Sequence, residues 1–165
     1  MKSIHLTQSD LSPVVEDDRE RFLLLFNDPE VIRWSRPPED LVPLFERYLE
    51  NPHSFAVRER GNLIGTVSLF ETSLTRAISS LVCYELTYSL MQSYRRKGIM
   101  GEAVSYLCDS YADGLKTDVL FAGCFSGNTV SRRILCSQGF QPVFIRYHET
   151  GSDIEPETIY YLSKM

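Results

Sequence analysis

The stretch Cys83 to Ala103, CYELTYSLMQSYRRKGIMGEA, most constrains what this chain can become. Its first residues alternate as a strand does. Tyr84, Leu86, Tyr88 and Leu90 fall on one face, and Glu85, Thr87 and Ser89 on the other. One face is bulky and suits a core; the other carries a carboxylate among small polar groups. Arg95-Arg96-Lys97-Gly98-Ile99-Met100-Gly101 follows, a basic, glycine-bearing turn that opens into a helix. The first N–H groups of a helix lack intrahelical partners. The helix dipole adds partial positive charge there, and glycine lets a ligand approach the backbone closely. With three cationic side chains beside it, this turn suits a pyrophosphate. A solvated basic turn would use the same residues, and Glu102 in the first helical turn opposes an anion. The spacing is neither a P-loop nor a GxGxxG fingerprint. No GxSxG or HExxH occurs, so hydrolase and zinc-protease chemistry lack a motif.

The 165 residues predict a single domain, 1–165, of ordinary globular composition. No apolar run reaches the ~20 residues a membrane helix needs. The first residues lack the apolar core of a signal peptide, so a cytoplasmic protein is expected. A net charge of −5 argues against nucleic acid as partner and favours a cationic acceptor such as an amine. The four cysteines form no CxxC pair and each sits in an apolar segment, so they read as small buried hydrophobes. The three histidines are scattered, and no metal site is expected.

Around that stretch, Ser3 to Thr7 predicts a first strand. Asp17 and Asp18 open a helix with Phe22, Leu23, Leu25 and Phe26 on its apolar face. A short helical or irregular piece follows from Pro29 to Trp34, and Trp34 reads as a packing residue that could line an acceptor pocket. Pro37-Pro38-Glu39-Asp40 predicts the start of another helix, with Leu41, Leu44, Phe45, Tyr48 and Leu49 at helical spacing and Asn51-Pro52 as its stop. Ser54 to Arg58 and Leu63 to Phe70 predict a hairpin about Gly61-Asn62. Glu71 to Ser80 reads as a loop and a candidate acceptor-binding segment. Val119 to Phe125 predicts a buried strand. Asn128 predicts an N-cap for a helix over Thr129 to Gln138, with Gly139 as its C′ residue. Val143 to His148 and Thr158 to Leu162 are the last strands, joined by a polar linker from Glu149 to Glu157. This order predicts a mixed α/β (α+β) domain about one sheet.

With these motifs in hand, the chain resembles the GCN5-related N-acetyltransferase (GNAT) superfamily over nearly its whole length. The family's Q/R-x-x-G-x-G/A loop is met by Arg95 and Gly98, while Met100 departs from the usual small residue and Gly101 follows it. Glu85-Leu86-Thr87-Tyr88-Ser89-Leu90 resembles the E-I-G-Y-W-L strand of the branch that includes the ribosomal-protein alanine acetyltransferases RimJ and RimL. Asn128-Thr129-Val130-Ser131 with Gln138-Gly139-Phe140 resembles that branch's N-x-x-S…K-L-G-F segment. The resemblance implies a mostly antiparallel sheet of about seven strands with four helices, its fourth and fifth strands splayed about a bulge. It implies acetyl-CoA as cosubstrate and a primary amine, on a protein N-terminus or a small molecule, as acceptor. Arg95, Arg96, Lys97, Gly98, Ile99, Met100 and Gly101 would hold the pyrophosphate, and Leu90 would pair with the pantetheine arm. Asn128 would reach that arm or a water. Glu85 would be the general base and Ser131 the group near the sulfur. The donor could instead be a longer acyl-CoA, and the chain could bind acyl-CoA without catalysis. Family members are monomers or dimers.

Overall fold

The computed structural model describes residues 3–72 and 82–164. Its strands are β1 (Ile4–His5), β2 (Asp10–Pro13), β3 (Ser54–Glu59), β4 (Asn62–Glu71), β5 (Cys83–Leu90), β6 (Val119–Phe125), β7 (Gln141–Thr150) and β8 (Asp153–Ser163). The α-helices are α1 (Arg19–Phe26), α2 (Pro29–Ser35), α3 (Val42–Glu50), α4 (Ile99–Tyr106), the one-turn α5 (Ala112–Gly114) and α6 (Thr129–Ser137), with a π turn over Leu107–Tyr111. One sheet runs β1-β2-β3-β4-β5-β6-β8-β7. β5 and β6 are parallel, and the registered pairs elsewhere are antiparallel. This is the mixed α/β, mostly antiparallel class expected, with eight strands among the described residues rather than about seven. β5 registers with β6 at Cys83↔Val119, Tyr84↔Leu120 and Glu85↔Phe121.

Two compact units share the chain. The first holds Met1–Phe70 and Thr87–Leu107, and the second holds Glu71–Leu86 and Cys108–Met165.

In the first unit, α1 and α3 turn an aromatic face onto the sheet. Phe22 and Phe45 are fully buried with their rings 5.1 Å apart, and Tyr48 stacks edge-on to Phe70 at the same distance. Burying each such side chain contributes roughly 1.5–3 kcal/mol. α3 begins at Val42, not at Pro37-Pro38 as the sequence suggests. Pro43 explains the shift: it lacks an N–H and is tolerated only in the first turn. Asp40 Oδ1 accepts the Val42 N–H at 3.0 Å and so opens the helix. The expected strand at Ser3–Thr7 is the two-residue β1, and a second short strand, β2, follows where none was expected. This second strand pairs with β3 and buries Leu11 opposite Val57. Arg58 fixes that corner. Its guanidinium forms two bonds with Asp18, at 2.6 and 2.7 Å, donates to Ser12 Oγ at 2.6 Å, and reaches the Pro13 carbonyl at 3.2 Å.

In the second unit, Cys83, Phe121 and Ile159 form a small core cluster with Val119 against it. α6 buries Leu135 and ends at Gly139, whose φ of +87° is the left-handed C′ conformation expected. The expected linker Glu149–Glu157 is instead strand. Thr150 pairs with Asp153, and Gly151 (φ +63°) supplies the positive φ of a tight hairpin turn. Cys83, Cys108 and Cys124 are buried as expected, but Cys136 is exposed on α6. The proposed acceptor segment, Glu71 to Ser80, lies outside the described residues from position 73 onward.

Candidate active site

The residues singled out from the sequence fall in both units. Leu90 and Arg95 to Gly101 belong to the first; Glu85, Asn128 and Ser131 belong to the second.

The turn after β5 is built by backbone conformation. A short 3₁₀ helix, Gln92–Tyr94, leads to Arg96 at φ +63° and Gly98 at φ +78°. The left-handed region costs a non-glycine residue ~1–2 kcal/mol, and at Arg96 the chain bears it. Gly98 is the N-cap of α4 and has no side chain to cap it. Among the described residues, no acceptor meets the N–H groups of Ile99, Met100 and Gly101. The first turn of α4 therefore presents unpaired donors at the positive end of the helix. Arg96, Lys97 and Gly98 are exposed around it, with Lys97 Nζ 5.3 Å from the Tyr94 ring centre. The side chains of Ile99 and Met100 are buried, 2% and 5% exposed. The Met100 departure thus adds core packing and leaves the backbone of the turn open. A Cβ at Gly101 would meet nothing within 4 Å.

Two partners of this turn were not visible from spacing. Glu102 turns its carboxylate to Thr7, accepting the Thr7 N–H at 2.8 Å and its hydroxyl at 2.6 Å. Gln8 Nε2 donates to the Lys97 carbonyl at 2.9 Å. The segment after β1 thus staples the turn and engages the one acidic group in the first helical turn, softening its opposition to an anion.

Arg95 is engaged inside the protein. Its Nε donates to the Leu90 carbonyl at 3.0 Å, and its Nη2 pairs with Asp28 Oδ1 at 3.1 Å. Asp28 is also the N-cap of α2, accepting the Glu30 and Val31 N–H groups. Burial pushes the Asp28 carboxyl up, but the Val31 N–H, the Arg95 guanidinium and the Glu30 N–H outweigh it, and the pKa lies below the ordinary value. Arg95 therefore ties the end of β5 to the start of α2, and its side chain is not a free cation for a phosphate. Asp28-Pro29 is a legible N-cap signature; its pairing with Arg95 is not.

The end of β5 lies tightly against β4. Met91 N–H donates to the Ile64 carbonyl at 2.9 Å, which sets Leu90 opposite Gly65. A Cβ at Gly65 would sit 2.5 Å from the Ser89 carbonyl oxygen, so this close approach requires glycine. An isolated glycine within a strand pattern was the available signal. The register also turns the Leu90 N–H away from β4.

In the second unit, Glu85 is half-buried and registers with Phe121 of β6. Asn128 caps α6, its Oδ1 accepting the Ser131 N–H at 3.1 Å. Cys124 lies beside this cap. Its Sγ is 3.4 Å from the Asn128 carbonyl, and burial pushes its thiol pKa up while a hydrogen bond with Ser131 pulls it down. Tyr160, 6% exposed, has its phenol pKa raised, again chiefly by burial.

Two further features belong to the first unit. Trp34 is half-buried, with Nε1 donating to Glu30 at 3.1 Å and Arg33 over its ring. A shallow groove of about 380 Å³ is lined by Pro43, Glu46, Arg47, Glu50, Asn51 and Phe70. Among the described residues no cluster of metal-ligating side chains occurs, and no helix is long and apolar enough to cross a membrane.

The acetyltransferase (GNAT) domain profile matches residues 10–141. No curated protein matches the chain at a significant level. Solved structures do. An acetyltransferase of the GNAT family from Bacillus anthracis superposes with a TM-score of 0.79 at 17% identity, covering 98% of each chain. The ribosomal-protein-S5-alanine acetyltransferase from Vibrio fischeri gives 0.77 at 19% identity, over 99% of this chain and 97% of its own. An acetyltransferase from Salmonella typhimurium that modifies the N-terminal serine of ribosomal protein L7/L12 gives 0.76 at 13% identity, over 97% of each. The fold and the match over most of its length agree: this chain belongs to the GNAT acetyltransferase family.

Proposed function

We propose that the protein is an acetyl-CoA-dependent N-acetyltransferase of the RimJ/RimL-like branch, acting on a primary amine. Membership of an acetyltransferase family supports acyl transfer. The observation that carries the choice of donor is the first turn of α4. There, three N–H groups that meet no acceptor among the described residues follow a left-handed glycine beside exposed cations. These groups suit a pyrophosphate: the Ile99, Met100 and Gly101 N–H groups would bind its oxygens, and Arg96 and Lys97 would screen its charge. Arg95 would act by holding the end of β5 in place. The Leu90 N–H, turned from β4, suits a pantetheine carbonyl or the developing oxyanion. Asn128 would offer its amide nitrogen, since its oxygen is used as a cap.

The cosubstrate supplies an activated acetyl group as a thioester. A free amine is protonated near neutral pH and must lose a proton before its nitrogen can form a bond to the acetyl carbon. Glu85 would take that proton, directly or through a water. As the carbon–sulfur bond breaks, Ser131 would donate to the departing sulfur. Direct attack needs no enzyme nucleophile, and burial of Cys108 and Cys124 with raised thiol pKa values suits that route.

Calorimetry with acetyl-CoA, followed by an amine panel read by thiol release, tests this reading. Micromolar binding and turnover on at least one amine are expected. Glu85→Gln should lower kcat at neutral pH by about 10²-fold or more, with the acetyl-CoA Kd unchanged. Absence of acetyl-CoA binding refutes the proposal. Binding without turnover on any amine favours a non-catalytic acyl-CoA-binding module. Unchanged kcat in Glu85→Gln removes Glu85 from the chemistry.

A further inference from the structure

Inside the first unit, a patch of hydroxyls interrupts an apolar core. Thr66 and Ser68 of β4 are fully buried, and neither side-chain oxygen meets a hydrogen-bond partner among the described residues. The Thr72 N–H donates to the Cys83 carbonyl at 3.0 Å and the Met91 N–H to the Ile64 carbonyl at 2.9 Å; both bonds fit one antiparallel register, in which Thr66 faces Ser89 and Ser68 faces Thr87. Thr87 Oγ1 lies 3.5 Å from the Tyr48 hydroxyl of α3, at the long limit of a hydrogen bond. Ser89 Oγ lies 3.3 Å from Ser35 Oγ at the end of α2. Six hydroxyls thus form two rows, sealed at Thr66 and Ser68 and opening toward solvent at Ser35 and Ser89.

An orphaned buried hydroxyl is destabilising, and two on one face of one strand is a costly coincidence. Facing Cβ atoms in a hydrogen-bonded pair are ~5.5 Å apart, so hydroxyls there can be joined by one water. A buried water typically makes about three hydrogen bonds, and Thr66, Ser68 and Thr87 supply that number. The patch contains no charged side chain, which selects a neutral donor–acceptor over an ion.

We propose that Thr66 and Ser68 hold an ordered internal water that bonds onward to Thr87, and that this water fixes the Tyr48–Thr87 pair. Thr87 and Ser89 alternate with Glu85 onto the same face of β5. Under the proposed acetyltransferase function, on which this inference rests, that is the acceptor side. The buried pair then orients the hydroxyls offered to the acceptor. Thr66 and Ser68 are positioning residues, and their effect falls on amine recognition rather than on acetyl-CoA binding.

The test uses the full chain and Thr66→Val, Ser68→Ala and Thr66→Ser. Crystallography at high resolution should show density for a water within about 3 Å of both hydroxyls, lost in Thr66→Val. Thr66→Val and Ser68→Ala should each lower Tm by about 3 °C, and Thr66→Ser should restore most of it. The amine KM should rise several-fold in the first two variants, with kcat and the acetyl-CoA Kd unchanged. If Thr66→Val raises Tm and wild-type protein shows no water, the hydroxyls are simply orphaned and the inference falls. An unaltered amine KM with the water lost also overturns its functional half. Density and Tm do not depend on turnover, so a protein with no acetyltransferase activity would sink the function while leaving the water site decided. If Thr66→Val does not fold, Ser68→Ala decides the same question.

Discussion

The two glycines flanking Ile99 and Met100 allow the proposed phosphate turn to be separated from mere structural need. Gly98 sits at φ +78°, and a Cβ placed there would meet nothing within 4 Å. Gly98→Ala therefore meets no clash and bears only the left-handed backbone penalty, ~1–2 kcal/mol. For a chain of this size that lowers Tm by about 3–6 °C. Gly101 is helical and also has open space around its Cβ direction. Gly101→Ala should gain up to ~1 kcal/mol of helix propensity and raise Tm by about 2–4 °C. The Cβ of a helical residue tilts toward the helix N-terminus, so the new methyl points to where a pyrophosphate would lie. Forcing one charge-assisted hydrogen bond apart costs ~1.5–3 kcal/mol. The acetyl-CoA Kd should therefore rise by about 10- to 150-fold. The two substitutions thus move stability in opposite directions while Gly101→Ala weakens binding. Differential scanning calorimetry and titration calorimetry measure both quantities on the same samples. A Gly101→Ala protein that is more stable and binds acetyl-CoA as tightly as wild type would refute the placement of the pyrophosphate on α4.

Other outcomes follow from the same geometry. Arg58→Met, which leaves Asp18 buried without its partner, should destabilise the protein by about 3–5 kcal/mol in urea unfolding; a change under about 1 kcal/mol would show the pair to be incidental. Asp28→Ala should weaken acetyl-CoA binding although Asp28 touches no cosubstrate, because Arg95 loses the anchor that holds the end of β5. It should also cost about 1–2 kcal/mol as a lost N-cap. The Asp28 carboxyl has a folded pKa below its unfolded value, so its contribution is complete above about pH 4 and is lost as pH falls through the lower folded value. Asp28→Asn should flatten that acid limb in a stability–pH series. Native protein should react with a thiol reagent at Cys136 first. Cys108, fully buried and with its pKa pushed up to about 12, should react only on unfolding, as peptide mapping of the labelled protein would report.

Much of the fold was legible because it rests on local rules. The bounds of β5 and β6 follow from alternating or continuous apolar runs, and the ends of α6 follow from Asn128 and Gly139, a capping side chain and a left-handed glycine. Two of the misreadings have equally local causes. Pro37-Pro38 looks like a helix start, but Pro43 overrules it from within the same segment. Glu149 to Glu157 is polar enough to read as a linker, yet Gly151 alone suffices to turn a hairpin whose strands continue on both sides. Cys136 lies in an apolar helix sequence, and only the rotation of α6 against its sheet decides that it faces water.

The sequence by itself determined the family, most of the element order from β3 onward, and the strand–glycine–helix turn from Cys83 to Ala103, since these depend on residue type and spacing within a few turns of chain. Only the tertiary structure decided what each charge of that turn does. Arg95 is withdrawn to Asp28, 67 residues away in sequence, and Glu102 is engaged by Thr7, 95 residues away. Such pairings are set by which elements pack together, and no local pattern encodes them. The same holds for Gly65, whose missing side chain matters only because the backbone of Ser89 and Leu90 lies against it. What remains at the start of α4 is a set of backbone donors with Arg96 and Lys97 beside them, a narrower candidate site than a cluster of three cations and two glycines.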